Sequence, residues 1–127
     1  MDANLMEEAY RHTLCGAVDL NAGLYEIVWG IHTWFPDETE AACRTAAEAA
    51  VRHYLALGWI RLSRWTVNDP RRVPLRVDEV EAALACVDYW AVSAEGYAEM
   101  VTVELTDAGT AAYDDPGRGH VRPGPYR

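Results

Sequence analysis

The chain has 127 residues, enough for one domain with one hydrophobic core. Half of the residues are apolar and 24% are charged, which excludes an intrinsically disordered chain. The 11 basic residues, all arginines, stand against 20 acidic ones and give a net charge of -9. This charge argues against a protein that coats nucleic acid over its whole surface, and it favours a basic protein partner or solubility alone.

The cysteines and the apolar stretches bear on location. Cys15, Cys43 and Cys86 are odd in number and widely spaced, a usage typical of reduced thiols in a cytosol. No stretch approaches the roughly 20 apolar residues of a membrane span. The first residues also lack the positive flank and apolar run of a signal peptide. We therefore expect a cytoplasmic protein without a membrane segment.

Two amphipathic helices are predicted before Pro36. The first spans residues 3–14. The second has Asp19 or Asn21 as its cap. Gly23 and Gly30 within it permit close helix–helix approach. The apolar residues of the second recur at spacings of three and four, and these are Leu20, Leu24, Ile27, Val28, Ile31 and Trp34. Pro36 ends this helix, because the residue before a proline is displaced from the helical region.

A long alanine-rich helix is predicted from Asp37 to Leu57. Asp37 and Glu40 have the spacing of a reciprocal N-terminal cap, and Gly58 allows the left-handed cap that ends many helices. Charges of alternating sign follow at i, i+4 steps on one face, namely Glu40, Arg44, Glu48 and Arg52. The opposite face is predicted to contact the core.

Beyond the long helix, two strands are predicted at residues 59–65 and 100–105, paired antiparallel. Residues 66–76 are predicted to form a loop, because Asn68-Asp69-Pro70 is a turn signal. Asp78 and Glu81 repeat the D-x-x-E pattern and predict a short helix that begins there. The residues expected to be mostly buried are Leu24, Ile27, Ile31, Tyr54, Leu57, Ile60 and Leu84.

Two segments resemble the wing strands of winged helix-turn-helix proteins. They are Gly58-Trp59-Ile60-Arg61-Leu62, after a helix, and the returning Val103-Glu104-Leu105-Thr106-Asp107-Ala108-Gly109. The resemblance covers about residues 20–113. It implies an α+β, winged-helix-like fold, in which helices pack on a small antiparallel sheet. It also implies that the helix at residues 37–57 enters the major groove of DNA.

The domain organisation follows from these elements. Residues 1–113 form a single winged-helix-like domain, whose last helix is capped by Thr106 and runs through Tyr113. Residues 114–127 are rich in Pro and Gly and are predicted to be a disordered tail.

The arginines are concentrated in one window. Residues 59–76 hold five arginines and one acid, Asp69, which give this window a net charge of +4. The rest of the chain therefore carries a net charge of -13, and the two together make the total of -9. Trp59, Arg61, Ser63 and Trp65 share one strand face by alternation, and such an aromatic–arginine mixture is enriched at binding hot spots. The alternative is that both tryptophans cover the core and the arginines are solvated.

The leading hypothesis is a non-catalytic acidic protein that binds a protein partner, as a regulator or as a toxin-neutralising, immunity-like protein. The expected partner-binding residues are Trp59, Arg61, Trp65, Arg71, Arg72, Asp78, Glu79 and Glu81. The alternative is a DNA-binding transcriptional regulator that uses the helix at 37–57 and the Arg-rich wing at 61–76. Its nucleic-acid-binding residues would be Arg44, Arg52, Arg61, Arg64, Arg71, Arg72 and Arg76.

The sequence has no motif for catalysis, a metal or a cofactor. His12 and Cys15 form an H-x-x-C pair, but a metal site needs three or four convergent ligands. Neither a G-x-S-x-G nucleophile motif nor a glycine-rich phosphate loop occurs. We expect a protein that is not an enzyme and uses no cofactor. Because five tryptophans are hard to bury in a small domain, a symmetric homodimer is a further hypothesis.

Overall fold

The computed structural model describes residues 3–91 and 96–114. In that part of the chain five α-helices pack with a three-stranded sheet. The helices are α1 (Ala3–Cys15), α2 (Leu24–Trp34), α3 (Glu40–Ala56), α4 (Val77–Ala85) and α5 (Asp107–Asp114). The strands are β1 (Ile60–Thr66), β2 (Asp69–Pro74) and β3 (Glu99–Leu105). A π-helical turn (Gly16–Leu20) precedes α2, and a short 3-10 helix (Val87–Tyr89) follows α4.

The fold is α+β, and its small sheet is antiparallel with the order β2-β1-β3. The predicted pairing of the two main strands is confirmed, because β1 and β3 run antiparallel in register from Ile60–Leu105 to Thr66–Glu99. The predicted loop at residues 66–76 is wrong, since most of it is β2. Pro70 and Pro74 remain compatible with this strand because it lies at the sheet edge, where a missing N–H is tolerated.

The core lies between one face of the sheet and α1, α2 and α3. Alternation along β1 directs Ile60 and Leu62 inward, and both are buried. Six of the seven residues predicted to be buried are so, including Ile31 and Leu84. Leu57 is the exception at 45% exposure, because it lies at the C-terminal cap of α3. Gly58 follows with φ of 73°, which confirms the predicted left-handed end of this helix.

The helix starts differ from the predicted ones. Thr39, not Asp37, caps α3, and its Oγ1 accepts the N–H of Ala42 at 3.0 Å. Asp37 is instead part of a turn in which the Glu38 N–H donates to the Phe35 carbonyl at 3.1 Å. This turn after Pro36 delays the helix to Glu40.

The starts of the two other helices are also shifted. Glu26 accepts the N–H of Gly23 at 3.0 Å, so neither Asp19 nor Asn21 begins α2. In α4, Glu79 accepts the N–H of Arg76 at 2.9 Å. The helix therefore begins one residue before Asp78.

Close packing joins α1 to α2 and joins the start of α2 to the sheet. A Cβ atom at Gly30 would lie 2.7 Å from Nδ1 of His12 on α1, so the close approach predicted for Gly30 is confirmed. The nearest atoms to a Cβ at Gly23 belong to Tyr25 and Glu26 of α2 itself, so the same prediction for Gly23 is wrong. Gly23 forms an antiparallel bridge with Thr102, and the Val103 N–H donates to the Ala22 carbonyl at 2.9 Å. The segment before α2 thus pairs with the edge of β3.

The predicted domain boundary falls beside the end of α5, which is Asp114. The remainder of the predicted tail lies outside the described residues.

Ile31 tests the packing of α2. The variant Ile31→Ala should lower the free energy of unfolding by about 2–5 kcal/mol, because it leaves a cavity in a fully buried position. Val77→Ala is the control, since Val77 is 92% exposed and the change should stay within about 0.5 kcal/mol. Urea unfolding followed by circular dichroism measures both. Equal stability of Ile31→Ala and the parent would contradict the assigned core.

Candidate functional site

The segment between β1 and β3 folds back onto the domain. We call its described residues, 67–91 and 96–98, the insertion, and they contain β2 and α4. Trp90, near its end, is 2% exposed and donates its indole N–H to the Leu84 carbonyl at 2.9 Å. Ala83 and Leu84 of α4 are buried in the same core. The guanidinium of Arg44, on α3, lies 6.0 Å from the centre of the Trp90 ring. The insertion therefore covers part of the outward face of α3.

An ion pair joins α4 to the same face of α3. Arg52 donates two hydrogen bonds to the Glu81 carboxylate, at 2.8 and 3.0 Å, and a third to Glu48 at 3.0 Å. These bonds raise the pKa of Arg52 and lower the pKa of Glu81. Arg44 and Arg52, the two arginines that α3 would offer to a DNA groove, thus both contact other side chains of the chain.

The arginines of the window 59–76 are mostly paired. Arg61 contacts Glu104 at 3.2 Å and Arg64 contacts Glu79 at 3.3 Å, both across elements. Two others have partners within two residues, namely Arg71 with Asp69 at 2.9 Å and Arg76 with Asp78 at 3.2 Å. Of the five, only Arg72 makes no ion pair with the described residues. The local excess of positive charge is therefore largely compensated in space.

The aromatic residues predicted to bind a partner lie along β1. Trp59 is half-buried and stacks on Tyr54 with ring centroids 5.7 Å apart. Trp65 is half-buried and lies opposite Met100 of β3. Between them, Ser63 is fully buried. This face of the strand is thus more enclosed than alternation alone suggests.

The structure brings the predicted basic and acidic binding residues together, and they form ion pairs with each other. Arg64 and Arg76 contact α4 acids, and Arg52 contacts Glu81. Arg71 and Arg72 remain exposed on β2, which forms a hairpin with β1. The three acids expected to meet a partner, Asp78, Glu79 and Glu81, thus each contact an arginine of this chain.

A second acidic surface, which the sequence analysis missed, keeps its charge. We call it the acidic surface, and its carboxylates are those of Glu7, Asp37, Glu38 and Glu40. None of these four makes an ion pair with the described residues. Glu7 lies on α1, and the other three lie in and just after the connection from α2 to α3. Acidic residues near a helix start are favoured by the helix dipole, so the positions of Asp37, Glu38 and Glu40 in the sequence do not by themselves indicate a binding site. The signal that could have drawn attention to them is the adjoining Trp34-Phe35 pair.

A cleft opens beside the acidic surface, between α1 and the end of α2. Its volume is about 350 Å³, and it is lined by Asn4, Glu7, Glu8, Trp34 and Phe35. Trp34 is 38% exposed, whereas Glu8 is only 7% exposed. Glu8 lies 3.8 Å from Nε of Arg11 and 3.5 Å from Nε2 of His12. The cleft thus combines an aromatic wall with carboxylates.

The environment of His12 disfavours its charged form. Burial lowers the pKa of His12, the Glu8 carboxylate opposes this effect, and Arg11 adds to it. The ring packs against Gly30 of α2. The imidazole is therefore neutral near pH 7.

Within residues 3–91 and 96–114, no group of three or more His, Cys, Asp or Glu side chains could hold a metal ion. The three cysteines are free thiols, and burial raises the pKa of Cys43. None of the described helices combines the length and apolar character required to cross a membrane.

No protein-family model, curated protein or solved structure matches the chain. The candidate site therefore rests on its own geometry.

The pKa of His12 predicts a pH dependence of stability. Because the folded state lowers this pKa, the unfolded state binds more protons, and stability falls as pH drops below about 6.5. The free energy of unfolding should therefore decrease from pH 7 to pH 5, and His12→Gln should remove much of that slope. Urea unfolding at each pH measures both.

Carboxylates provide the internal control for this experiment. Hydrogen bonds lower the pKa of Glu79 and of Glu81, so their contributions are lost only below about pH 4.5. A parent protein with a flat stability profile between pH 7 and pH 5 would contradict the role assigned to His12.

Proposed function

We propose that the protein is a non-catalytic binding protein whose partner is a basic protein, which it regulates or neutralises. The observation that carries this proposal is that most arginines of one window form ion pairs within the chain, whereas a group of carboxylates does not. Four of the five arginines in the window 59–76 are held in intramolecular pairs. Glu7, Asp37, Glu38 and Glu40 have no such pairs within the described residues. A body with net charge -9 therefore presents uncompensated carboxylates in and beside the connection from α2 to α3.

Such a surface suits recognition by electrostatic complementarity. Uncompensated carboxylates produce a negative potential that accelerates the encounter with a positive partner, and salt weakens this effect. The acidic surface also has apolar neighbours, because Trp34 and Phe35 adjoin the connection from α2 to α3. An aromatic centre with charged surroundings is the usual composition of a binding hot spot and its rim.

We favour the acidic surface over the acids of α4 as the docking region. Asp78, Glu79 and Glu81 already contact arginines of this chain. A basic partner would have to displace those contacts, so the gain in binding would be reduced. The acidic surface requires no such exchange.

Matched charge variants test this proposal. The variant E7Q/E38Q/E40Q removes three charges from the acidic surface. The control D88N/D107N/D114N removes three charges elsewhere, from exposed carboxylates that make no ion pair with described residues. In a capture experiment from the native cytosol, the parent and the control should retain the same basic protein, and the surface variant should lose it.

Kinetics then measure the effect on the identified partner. The association rate should fall in the surface variant and should fall with rising salt for the parent. The same retention and the same association rate for the surface variant and the control would contradict the proposal.

A DNA-binding regulator is the second candidate, and the chain topology favours it. Three helices precede the β1–β2 hairpin, and the bridge from Gly23 to Thr102 adds a short segment at the other edge of the sheet. If the winged-helix resemblance holds, α3 would be the groove-reading helix. Arg71 and Arg72 are exposed on β2. The contacts of Arg52 with Glu81 and of Arg44 with Trp90 count against it.

Salt-dependent DNA binding separates the two candidates. For the leading proposal we expect no measurable affinity for duplex DNA at physiological salt. For a regulator, log affinity should fall with log salt at a slope of about -0.9 per phosphate contact. Arg71→Ala with Arg72→Ala should then weaken binding to every sequence and flatten the slope. Fluorescence anisotropy with duplex DNA measures this, and a micromolar, salt-sensitive complex would reverse our ranking.

We also propose that the protein forms a homodimer. Trp90 is buried within the chain, but Trp29 is 65% exposed on α2 and Trp34 is 38% exposed at its end. The aromatic area available for a self-contact therefore lies on α2.

A further inference from the structure

We infer that a second cleft, between the start of α3 and residues 87–91 of the insertion, binds a free α-amino acid with an apolar side chain. We call it the α3 cleft. Its volume is about 210 Å³, and it is lined by Glu40, Ala41, Arg44, Val87, Trp90 and Ala91. The inference goes beyond the proposed function, because it concerns a small molecule and not a protein partner.

Arg44 supplies the positive charge of the α3 cleft. The side chain is half-buried, and its guanidinium lies over the Trp90 ring, 6.0 Å from the ring centre. Glu48, one helical turn further along α3, accepts from Arg52 at 3.0 Å, and Arg44 makes no ion pair within residues 3–91 and 96–114. A guanidinium is a planar fork of N–H donors that matches a carboxylate. Arg44 therefore keeps donors for the carboxylate of a ligand.

Glu40 supplies the negative charge. It is the first residue of α3 and lies exactly one i, i+4 step before Arg44, a spacing that places the two Cβ atoms about 5–6 Å apart. Helical spacing would allow these two side chains to pair, but the guanidinium of Arg44 is directed to Trp90 instead. Glu40 likewise makes no ion pair with the described part of the chain. The α3 cleft therefore presents two opposite charges, close together, that do not neutralise each other by direct contact.

The remaining lining of the α3 cleft is apolar. Val87 is 57% exposed there, although valine is usually a buried residue. The methyl groups of Ala41 and Ala91 also line the cleft. Trp90 adds no hydrogen-bond donor, because its indole N–H is already donated to the Leu84 carbonyl at 2.9 Å. A ligand with an apolar side chain would remove this surface, and that of Val87 above all, from water.

Charge and size together determine the class of ligand. A simple anion would be repelled by Glu40, and a simple cation by Arg44. A neutral apolar molecule would desolvate both charged groups without giving either a partner, which is unfavourable. A zwitterion with an apolar side chain satisfies both charges and the lining. The volume of about 210 Å³ lies below the roughly 300 Å³ at which sites for drug-sized molecules begin, so it suits a single amino acid.

Leucine and three truncated analogues test the inference on the full chain in ¹⁵N-labelled form. Isocaproate is leucine without its ammonium group, isoamylamine is leucine without its carboxylate, and glycine lacks the apolar side chain. The backbone N–H signals of Ala41, Val87 and Ala91 report occupancy of the α3 cleft. Leucine should shift these signals to saturation. Each analogue should bind about tenfold more weakly, because each lacks one of the three contacts.

Charge variants assign each contact to a residue. Arg44→Gln should weaken leucine binding about tenfold and should abolish the difference between leucine and isoamylamine, since the carboxylate then has no partner. Glu40→Gln should in the same way abolish the difference between leucine and isocaproate. The matched controls are Arg72→Gln and Glu7→Gln, which remove the same charges outside the α3 cleft and should leave the affinity unchanged. The N–H signals of the rest of the chain report that each variant is folded.

Three results would overturn the inference. The first is an absence of saturation with leucine. The second is binding of isocaproate, isoamylamine or glycine to the parent as tight as that of leucine. The third is an equal loss of affinity for leucine and isoamylamine in Arg44→Gln, because Arg44 would then support the shape of the cleft and not contact a carboxylate.

Discussion

Burial of Trp90 is the constraint on which the surface of this protein depends. Complete burial of a tryptophan removes about 150–250 Å² from water and is worth roughly 4–6 kcal/mol. Trp90 is 2% exposed, and its indole N–H is satisfied by the Leu84 carbonyl. Surface ion pairs contribute little by comparison. The insertion is therefore held on α3 by apolar burial, and the pair of Arg52 with Glu81 forms as a consequence of that placement.

This placement determines which charges remain available. With 11 arginines against 20 acids, the acids outnumber the arginines, so an arginine that pairs with one acid is not available to another. The insertion brings its acids to Arg52 and Arg64. Among the described residues, no arginine makes an ion pair with the acidic surface around the connection from α2 to α3. The position of the insertion thus engages Arg52 and Arg64 within the chain, and this is the basis on which a basic protein partner, and not DNA, is proposed.

The sequence predicted the features that depend on local pattern. The spacing of Ile27 and Ile31 indicated the buried face of α2, and alternation indicated that Ile60 and Leu62 point inward. Strand β2 was missed because Pro70 and Pro74 are turn signals, and their tolerance at a sheet edge depends on the sheet order. Thr39 was overlooked as a cap because the turn after Pro36 shifts the helix start.

The candidate site was less predictable, because its contacts are distant in the sequence. Arg52 and Glu81 are separated by 29 positions, and nothing in either segment indicates the other. The winged-helix resemblance supplied an order of elements but not the position of the insertion. Likewise, no spacing rule relates Glu7 of α1 to Trp34 of α2, since their proximity depends on how the two helices pack.

The packing of α1 on α2 links the stability of the domain to the geometry of the cleft. Gly30 leaves room for the ring of His12, as its lack of a Cβ allows the two helices to approach. That approach places Glu7 and Glu8 beside Trp34 and Phe35. Protonation of His12 would add a buried charge next to Arg11, which weakens the same helix contact.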